Sequence, residues 1–192
     1  MKLSLEAAPW TKVPPASQLG QVSLILGSDV WRQAAERYCE EKRAAQVSGI
    51  VGPMGVQPFL NAIIDDLMEE NGWAGEDGRF TKDKVWVRVT FRHQMSLEAD
   101  LLEALRVSKT EGINQTAVLA ATNAFLGLIS KNDARALCSY EKFRAECVKL
   151  DGALDFPLFI GKLEPHSRPG PDCQALLEGP RPRGKTVPAK TK

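Results

Sequence analysis

Helical and strand-like patterns follow one another along this 192-residue chain, and their order predicts an α/β domain. The clearest strand covers residues 84–91, where apolar and polar residues alternate strictly. Helical patterns flank it over 59–71 and 93–111, and an apolar segment at 154–163 predicts a last strand. Because 43% of the residues are hydrophobic, the chain can bury the core that such a domain needs.

The elements before the central strand are predicted from turn and capping residues. Residues 1–20 contain three prolines, which predicts an irregular arm. A first helix begins at the N-cap-like pair Ser28-Asp29. Pro58 suits the first turn of a second helix, and Gly72 ends that helix.

The elements after the central strand leave one assignment open. The apolar run 117–121 fits either a buried strand or the start of a helix, and periodicity does not choose between them. Residues 133–150 are helical in pattern, and beyond them Pro, Gly and basic residues predict a flexible tail. The predicted organisation is therefore an N-terminal arm over 1–20, one domain over 21–165, and a basic tail over 166–192.

The charge balance limits the ways in which the chain could bind nucleic acid. The chain has 25 basic and 24 acidic residues, for a net charge of +1. Residues 168–192 carry a net +4, which leaves −3 on the remainder. A weakly acidic body excludes histone-like coating of nucleic acid, which needs a large excess of positive charge. It is compatible with binding through a local basic patch.

Several kinds of site are missing from the sequence. The four cysteines form no C-x-x-C pair and do not combine with the two histidines into a zinc spacing. His93 has no partners for a nucleophilic triad, and the glycines at 49–55 lack the Lys-Ser/Thr of a nucleotide-binding loop. The sequence shows no signal peptide and no membrane span. We predict a cytoplasmic protein with reduced thiols, no catalytic residue, no metal site, no membrane contact and no nucleotide cofactor.

The alternation in the central strand divides its side chains between two faces. The valines and Phe91 would face a core, and the intervening Lys, Trp, Arg and Thr would project from the other face. Arg binds guanine or phosphate through its forked donors, so an exposed row of this kind predicts a DNA-binding surface. The alternative is that this polar face only contacts solvent or is covered by a helix. The predicted contact residues on and beside this strand are Arg79, Lys82, Lys84, Trp86, Arg88, Thr90 and Arg92.

The order of these segments resembles the type II restriction endonucleases typified by BglII and BstYI. The resemblance runs from residue 24 to residue 165. It includes a helix with Trp31, a turn at 52–55 before a helix that carries Asn61, the central strand, and Asp100 on the next helix. It implies a PD-(D/E)XK-like mixed sheet flanked by helices, acting as a dimer on duplex DNA.

The chain departs from that family at the positions that bind Mg²⁺. The family's strand bears a Glu and a Gln two residues apart, with an Asp nine positions upstream. The matching positions here are Arg88, Thr90 and Arg79. Mg²⁺ requires oxygen ligands, and an arginine places a positive charge where the ion would sit. The comparison implies a nuclease-like core kept for binding, unless carboxylates elsewhere rebuild the site. The candidates for such a relocation are Asp77, Asp83, Glu98, Asp100 and Glu103.

Residues 84–129 also show a second, local resemblance, to the ribbon-helix-helix regulators. In that family two strands pair across a dimer and insert their outward side chains into the major groove. The resemblance implies that Asn114 caps a second helix and offers its first amides to a phosphate, which adds Asn114 to the predicted DNA contacts. An α+β fold with a dimeric ribbon-helix-helix core is therefore the alternative fold.

Both resemblances lead to the same prediction of function. We predict a sequence-specific, homodimeric double-stranded DNA-binding protein, a transcriptional regulator on a catalytically inactive nuclease-like core that needs no cofactor. One alternative is a type II restriction endonuclease that uses Mg²⁺ held by relocated carboxylates. The other is a protein-interaction module, such as an antirestriction factor or the non-catalytic partner of an active subunit.

Overall fold

A six-stranded mixed sheet forms the centre of the fold, in a computed structural model that describes residues 1–27, 29–130 and 133–178. The strands are β1 (Lys2–Ala7), β2 (Ala74–Glu76), β3 (Arg79–Lys82), β4 (Val85–Thr90), β5 (Gln115–Ala121) and β6 (Leu158–Glu164). Their spatial order is β1-β6-β5-β4-β3-β2. Strands β4, β5 and β6 run parallel, and the outer strands pair antiparallel.

Helices cover both faces of this sheet. They are α1 (Ser17–Gly27), α2 (Val30–Val47), α3 (Gln57–Glu70), α4 (Leu97–Thr110), α5 (Asn123–Ile129), α6 (Tyr140–Lys149) and α7 (Pro171–Glu178), with a short 3₁₀ helix at Gln94–Ser96. On one face, α1, α2, α3, α5 and α7 contribute to an apolar core. On the other, α4 and α6 enclose a second core. Parallel strands are normally buried on both faces in this way.

The structure decides the open assignment at 117–121 in favour of a strand. β5 lies between β4 and β6, and every residue from Thr116 to Ala121 is buried. β4 is therefore paired on both sides within one chain and has no free edge for a partner. The Asn114 N–H donates to the Lys84 carbonyl at 2.7 Å and does not open a helix. The ribbon-helix-helix alternative is wrong, because the pairing within the sheet occupies its ribbon.

Two terminal segments are more ordered than predicted. The predicted arm contains β1, which pairs with β6, and the first residues of α1, so the expectation of irregular structure there is wrong. The prolines at 9, 14 and 15 lie in the connection between β1 and α1 and interrupt neither element. The predicted tail contains α7 before residue 179. Ser28 and residues 179–192 lie outside the described residues.

The helix predicted over 133–150 is shorter than its pattern. α6 begins only at Tyr140, where the Ser139 side chain accepts the Lys142 N–H as an N-cap. Before it, Leu137 forms an isolated bridge with His93. The helices predicted around 59–71 and 93–111, and the strands at 84–91 and 154–163, are confirmed with shifted boundaries.

Two tight hairpins hold β2, β3 and β4 in register. The first turns at Asp77-Gly78 and the second at Asp83-Lys84. All four residues have positive φ, between 48° and 73°, which is the type I′ pattern of two-residue hairpins. The second hairpin places Arg79 opposite Arg88, so these two arginines lie on the same face of the sheet.

The described residues also concern two earlier predictions, the absence of a membrane span and the reduced state of the cysteines. No helix among them is long and apolar enough to cross a membrane. Cys39 and Cys173 form a disulfide, so the expectation that all thiols are reduced is wrong. Local sequence patterns do not reveal this pair, because the two cysteines are 134 positions apart in sequence and only the docking of α7 on α2 brings them together.

Candidate nucleic-acid interface

The three central residues of the predicted DNA-binding row are buried. Trp86, Arg88 and Thr90 are exposed by only 4%, 5% and 1%. Helix α4 packs over this face, because the apolar stripe that includes Leu97 and Leu101 must itself be buried. The expectation that the row faces solvent is wrong, and the alternative of a face covered by a helix is correct.

Arg88 is held by an acidic residue from the covering helix. Its Nε lies 3.3 Å from Asp100 Oδ1, a charge contact without hydrogen-bond geometry, and its Nη1 donates to the Asp77 carbonyl oxygen at 2.7 Å. Thr90 Oγ1 donates to Asp100 Oδ2 at 3.1 Å. Arg92 Nη1 lies 3.3 Å from Asp100 Oδ1. We call Arg88, Thr90, Arg92 and Asp100 the Asp100 cluster.

The charges in this cluster do not cancel. Two guanidinium groups share the single carboxylate of Asp100. Burial lowers the pKa of Arg88, while the Asp100 charge acts in the opposite direction. An arginine nevertheless stays protonated near neutral pH. Because the Arg92 side chain is 48% exposed, the excess positive charge is available to an anion from solvent.

A small polar cavity of about 40 Å³ adjoins the cluster. Helix α3 lines it with a stripe spaced four residues apart, formed by Gln57, Asn61 and Asp65. Asp77, Arg88 and Arg92 line the opposite side. The Gly78 N–H donates to Asp65 Oδ1 at 3.3 Å, and burial raises the pKa of the Asp65 carboxyl. The site therefore combines two carboxylates, two amides and two guanidiniums.

The residues at the strand positions do not fit the Mg²⁺ that this class of fold implies. Within residues 1–27, 29–130 and 133–178, no group of three or more His, Cys, Asp or Glu side chains could hold a metal. Arg88 supplies a cation where an oxygen ligand would be needed. We therefore derive no catalytic step through a metal.

The carboxylates considered for a relocated site are mostly engaged elsewhere. Asp100 serves two arginines, and Glu103 lies 3.5 Å from Arg79. Asp83 lies in the far hairpin and accepts a hydrogen bond from Gln18, while Glu98 is exposed on α4. Among these candidates, Asp77 lines the cavity.

The remaining predicted contact residues do not form one patch. Lys82 Nζ donates to the Asn71 carbonyl at 2.8 Å and thereby caps the end of α3. Lys84 and Asn114 are exposed at the start of β4, whereas Arg92 follows its end. Eight extended residues span about 26 Å, so these groups lie at opposite ends of the sheet. That these residues contact DNA stays a prediction. It now concerns two separate groups of residues, one at each end of β4.

Sequence reasoning missed two residues of the cavity. Gln57 and Asp65 share a face with Asn61 on α3, and only Asn61 belonged to the motif that the sequence presented. The recurrence of polar residues at i, i+4 and i+8 was the available signal. Their role depended on Asp77 folding back against the same helix, which local pattern does not reveal.

The six-stranded mixed sheet and its flanking helices form a restriction-endonuclease-like α/β fold. The crystal structure of free BglII matches 85% of this chain and 80% of that chain, with a TM-score of 0.53 and 13% sequence identity. The crystal structure of BglII complexed with a DNA 16-mer matches 85% of this chain and 76% of that chain, with a TM-score of 0.51 and 17% identity. This confirms the predicted fold, and at these identities the similarity shows the fold alone.

Neither a protein-family model nor a curated protein matches the chain.

Proposed function

We propose that this chain binds double-stranded DNA through a restriction-endonuclease-like fold and does not cleave it. The observation that carries the proposal is the buried Arg88, paired with Asp100 of α4, at a strand position where the resemblance implies that such a nuclease would hold its metal. Metal-assisted hydrolysis needs an ion that activates water and neutralises the developing charge. A fixed guanidinium can attract a phosphate but cannot activate a water molecule in that manner.

The electrostatics of the Asp100 cluster support phosphate binding beside the cavity. Arg92 is half exposed and shares its carboxylate with Arg88, so it retains capacity for an anionic partner. Arg79 is also half exposed beside the same sheet face, although Glu103 partly compensates its charge. We include Arg79 and Arg92 in the proposed contact surface, with Lys84 and Asn114 as a second contact at the far end. We leave out Trp86, Arg88 and Thr90, which α4 covers, and Lys82, which caps α3.

Duplex DNA as the partner is supported by the BglII structure that was solved with a DNA 16-mer. We further propose that the chain acts as a homodimer that reads a palindromic site, and that its role is transcriptional regulation. Two-fold symmetric proteins read symmetric sites, so a palindrome is the expected signature of this arrangement.

Selection from a randomised duplex library, with and without Mg²⁺, tests the proposal. Bound and cut molecules are sequenced separately. We expect an enriched palindrome that stays intact in Mg²⁺. Specific cleavage would overturn the proposal of a non-cleaving protein. Absence of any complex at low salt would overturn DNA binding and favour the protein-interaction module.

Arg92→Ala tests the assignment of the phosphate contact. In the proposed homodimer, Arg92→Ala removes two phosphate contacts, one in each subunit. At about 0.9 per contact, the negative slope of log K against log salt should become shallower by about 1.8, with all sequences affected similarly. Arg106→Ala is the matched control, because Arg106 is an exposed arginine of α4 that pairs with Glu111 away from the cluster. An unchanged slope for Arg92→Ala would remove this residue from the interface.

A second candidate function is Mg²⁺-dependent cleavage, which one observation favours. The carboxylates of Asp65 and Asp77 line one cavity next to Asn61. If cleavage of the selected site occurs in Mg²⁺, it should disappear in Asp77→Asn and persist in Asp83→Asn, whose carboxylate lies in the other hairpin. Cleavage that survives Asp77→Asn would place the activity outside this cavity.

A further inference from the structure

The disulfide between Cys39 and Cys173 lies outside the candidate interface and joins helix α2 to helix α7. Its Cα atoms are 5.6 Å apart, and the bond closes a loop of 134 residues. Cys39 lies in the middle of α2, and Cys173 lies in the first turn of α7. The bond therefore fixes the last described helix to one of the first.

Within residues 1–27, 29–130 and 133–178, few buried side chains of α7 hold it in place apart from this bond. The helix has eight described residues, and its buried side chains are Cys173 and Leu177, with Leu176 partly buried against the same core. A helix of this length is unstable by itself, so its order depends on packing. Two buried side chains give a small gain compared with the entropy lost by ordering eight residues. The docked state of α7 consequently depends on the covalent bond.

The two bonded cysteines are buried but border an open cavity. An open cavity of about 210 Å³ is lined by Cys39 and Cys173. Its walls include Glu36, Glu40 and Arg43 of α2. An attacking thiolate must reach a sulfur atom for exchange to occur, and this cavity provides such an approach.

The other two cysteines provide an internal contrast. Cys138 and Cys147 lie free in the second core, under α4 and α6. Burial raises the pKa of Cys138 to about 11 and that of Cys147 to about 12. Buried thiols of this kind are unreactive, because the thiolate is the reacting species.

We propose that Cys39–Cys173 is a thiol–disulfide exchange site, and that its reduction by a dithiol releases α7 from α2. A thiolate of the dithiol attacks one cysteine sulfur, breaks the S–S bond and forms a mixed disulfide. The second thiol of the reductant then attacks the mixed disulfide. The chain gains two electrons and two protons as two thiols, and the dithiol leaves as its own disulfide.

Labelling of the native full-length protein tests the exchange. We purify the protein without reductant and treat it with iodoacetamide before and after incubation with dithiothreitol. Intact mass and peptide mapping should show no modified cysteine before reduction and two after it, at Cys39 and Cys173. Modification of these two before reduction, or resistance of the bond to dithiothreitol, would overturn the proposal. Cys138 and Cys147 should stay unmodified in both samples.

Hydrogen exchange tests the release of α7. After reduction, amides within 171–178 should exchange about tenfold faster or more, because a released helix loses its protection. The amides of β4 and β5 should keep their rates. Cys39→Ser should reproduce the reduced pattern without reductant, and Cys147→Ser is the matched control that should leave α7 protected. Unchanged protection of α7 in the reduced wild-type protein would show that packing alone holds the helix, which contradicts the proposal.

Discussion

The two faces of strand β4 are buried to the same degree but are stabilised by different forces. Val85, Val87 and Val89 on one face pack into the core formed with α1, α2 and α3. Arg88 and Thr90 on the other face contact Asp100 of α4. The comparison teaches that alternation in a strand assigns side chains to faces but does not decide whether a polar face meets water. In this fold, the covering helix α4 determines that the polar face is shielded from water.

The two faces should also respond differently to mutation. Apolar packing is non-directional and distributed over many contacts, so neighbouring groups compensate in part for a lost one. On the polar face, one carboxylate serves three partners, and its loss leaves a buried cation without a counter-charge. We therefore expect the largest single effect on the polar face.

Asp100→Ala should cause the greatest loss of stability. It leaves Arg88 charged and buried without its partner, which costs about 3–5 kcal/mol in the free energy of unfolding. Urea denaturation monitored by tryptophan fluorescence measures this change. Glu111→Ala is the control, since it breaks the exposed Arg106–Glu111 pair and should cost less than about 1 kcal/mol.

The double variant Arg88→Met/Asp100→Ala sharpens the same comparison. If the penalty comes from an unpaired buried charge, the double variant should be more stable than Asp100→Ala alone, because the charge is then absent. Additive losses in the two single variants and the double variant would contradict this account of the polar face.

Leu119→Ala, in the neighbouring strand β5, tests how much the apolar core beside β4 contributes to the free energy of unfolding. Leu119 is fully buried in the core shared with β4, so truncation should cost about 2–5 kcal/mol from lost transfer energy and the cavity left behind. Urea denaturation at low and high salt should give the same loss, because no charge is involved. A loss that depends strongly on salt would remove the distinction between the faces.

Asp65→Asn is expected to have the smallest effect, and its sign depends on pH. Burial raises the pKa of Asp65 in the folded protein, so folding favours the neutral carboxyl. The stability that Asp65 contributes is full below its unfolded-state pKa and is lost as pH rises through the folded-state pKa. Melting temperatures should therefore favour the variant over wild type more at pH 7 than at pH 3.

The matched control for this pH dependence is Asp66→Asn, which changes an exposed neighbour on α3. It should not reproduce the increase between pH 3 and pH 7. If Asp65→Asn is instead equally favoured at both pH values, burial does not raise the pKa of the Asp65 carboxyl in the folded protein.

The resemblance to restriction endonucleases predicted the fold correctly because collinear short motifs preserve the order of elements even when side chains change. The local ribbon-helix-helix resemblance failed at 117–121. Five small and apolar residues are compatible with either structure, and only pairing with β4 and β6 selects the strand. Long-range pairing is not recorded in local periodicity.

The sequence by itself determined which residues share each face of β4 and where α3 and α4 lie. These follow from side-chain period, capping and residue chemistry, which are local properties. Only the tertiary structure decided that α4 covers Arg88, that Asp100 pairs with it, and that Cys39 meets Cys173. Those contacts join different secondary-structure elements, and their energies depend on burial, which exists only once the chain has folded.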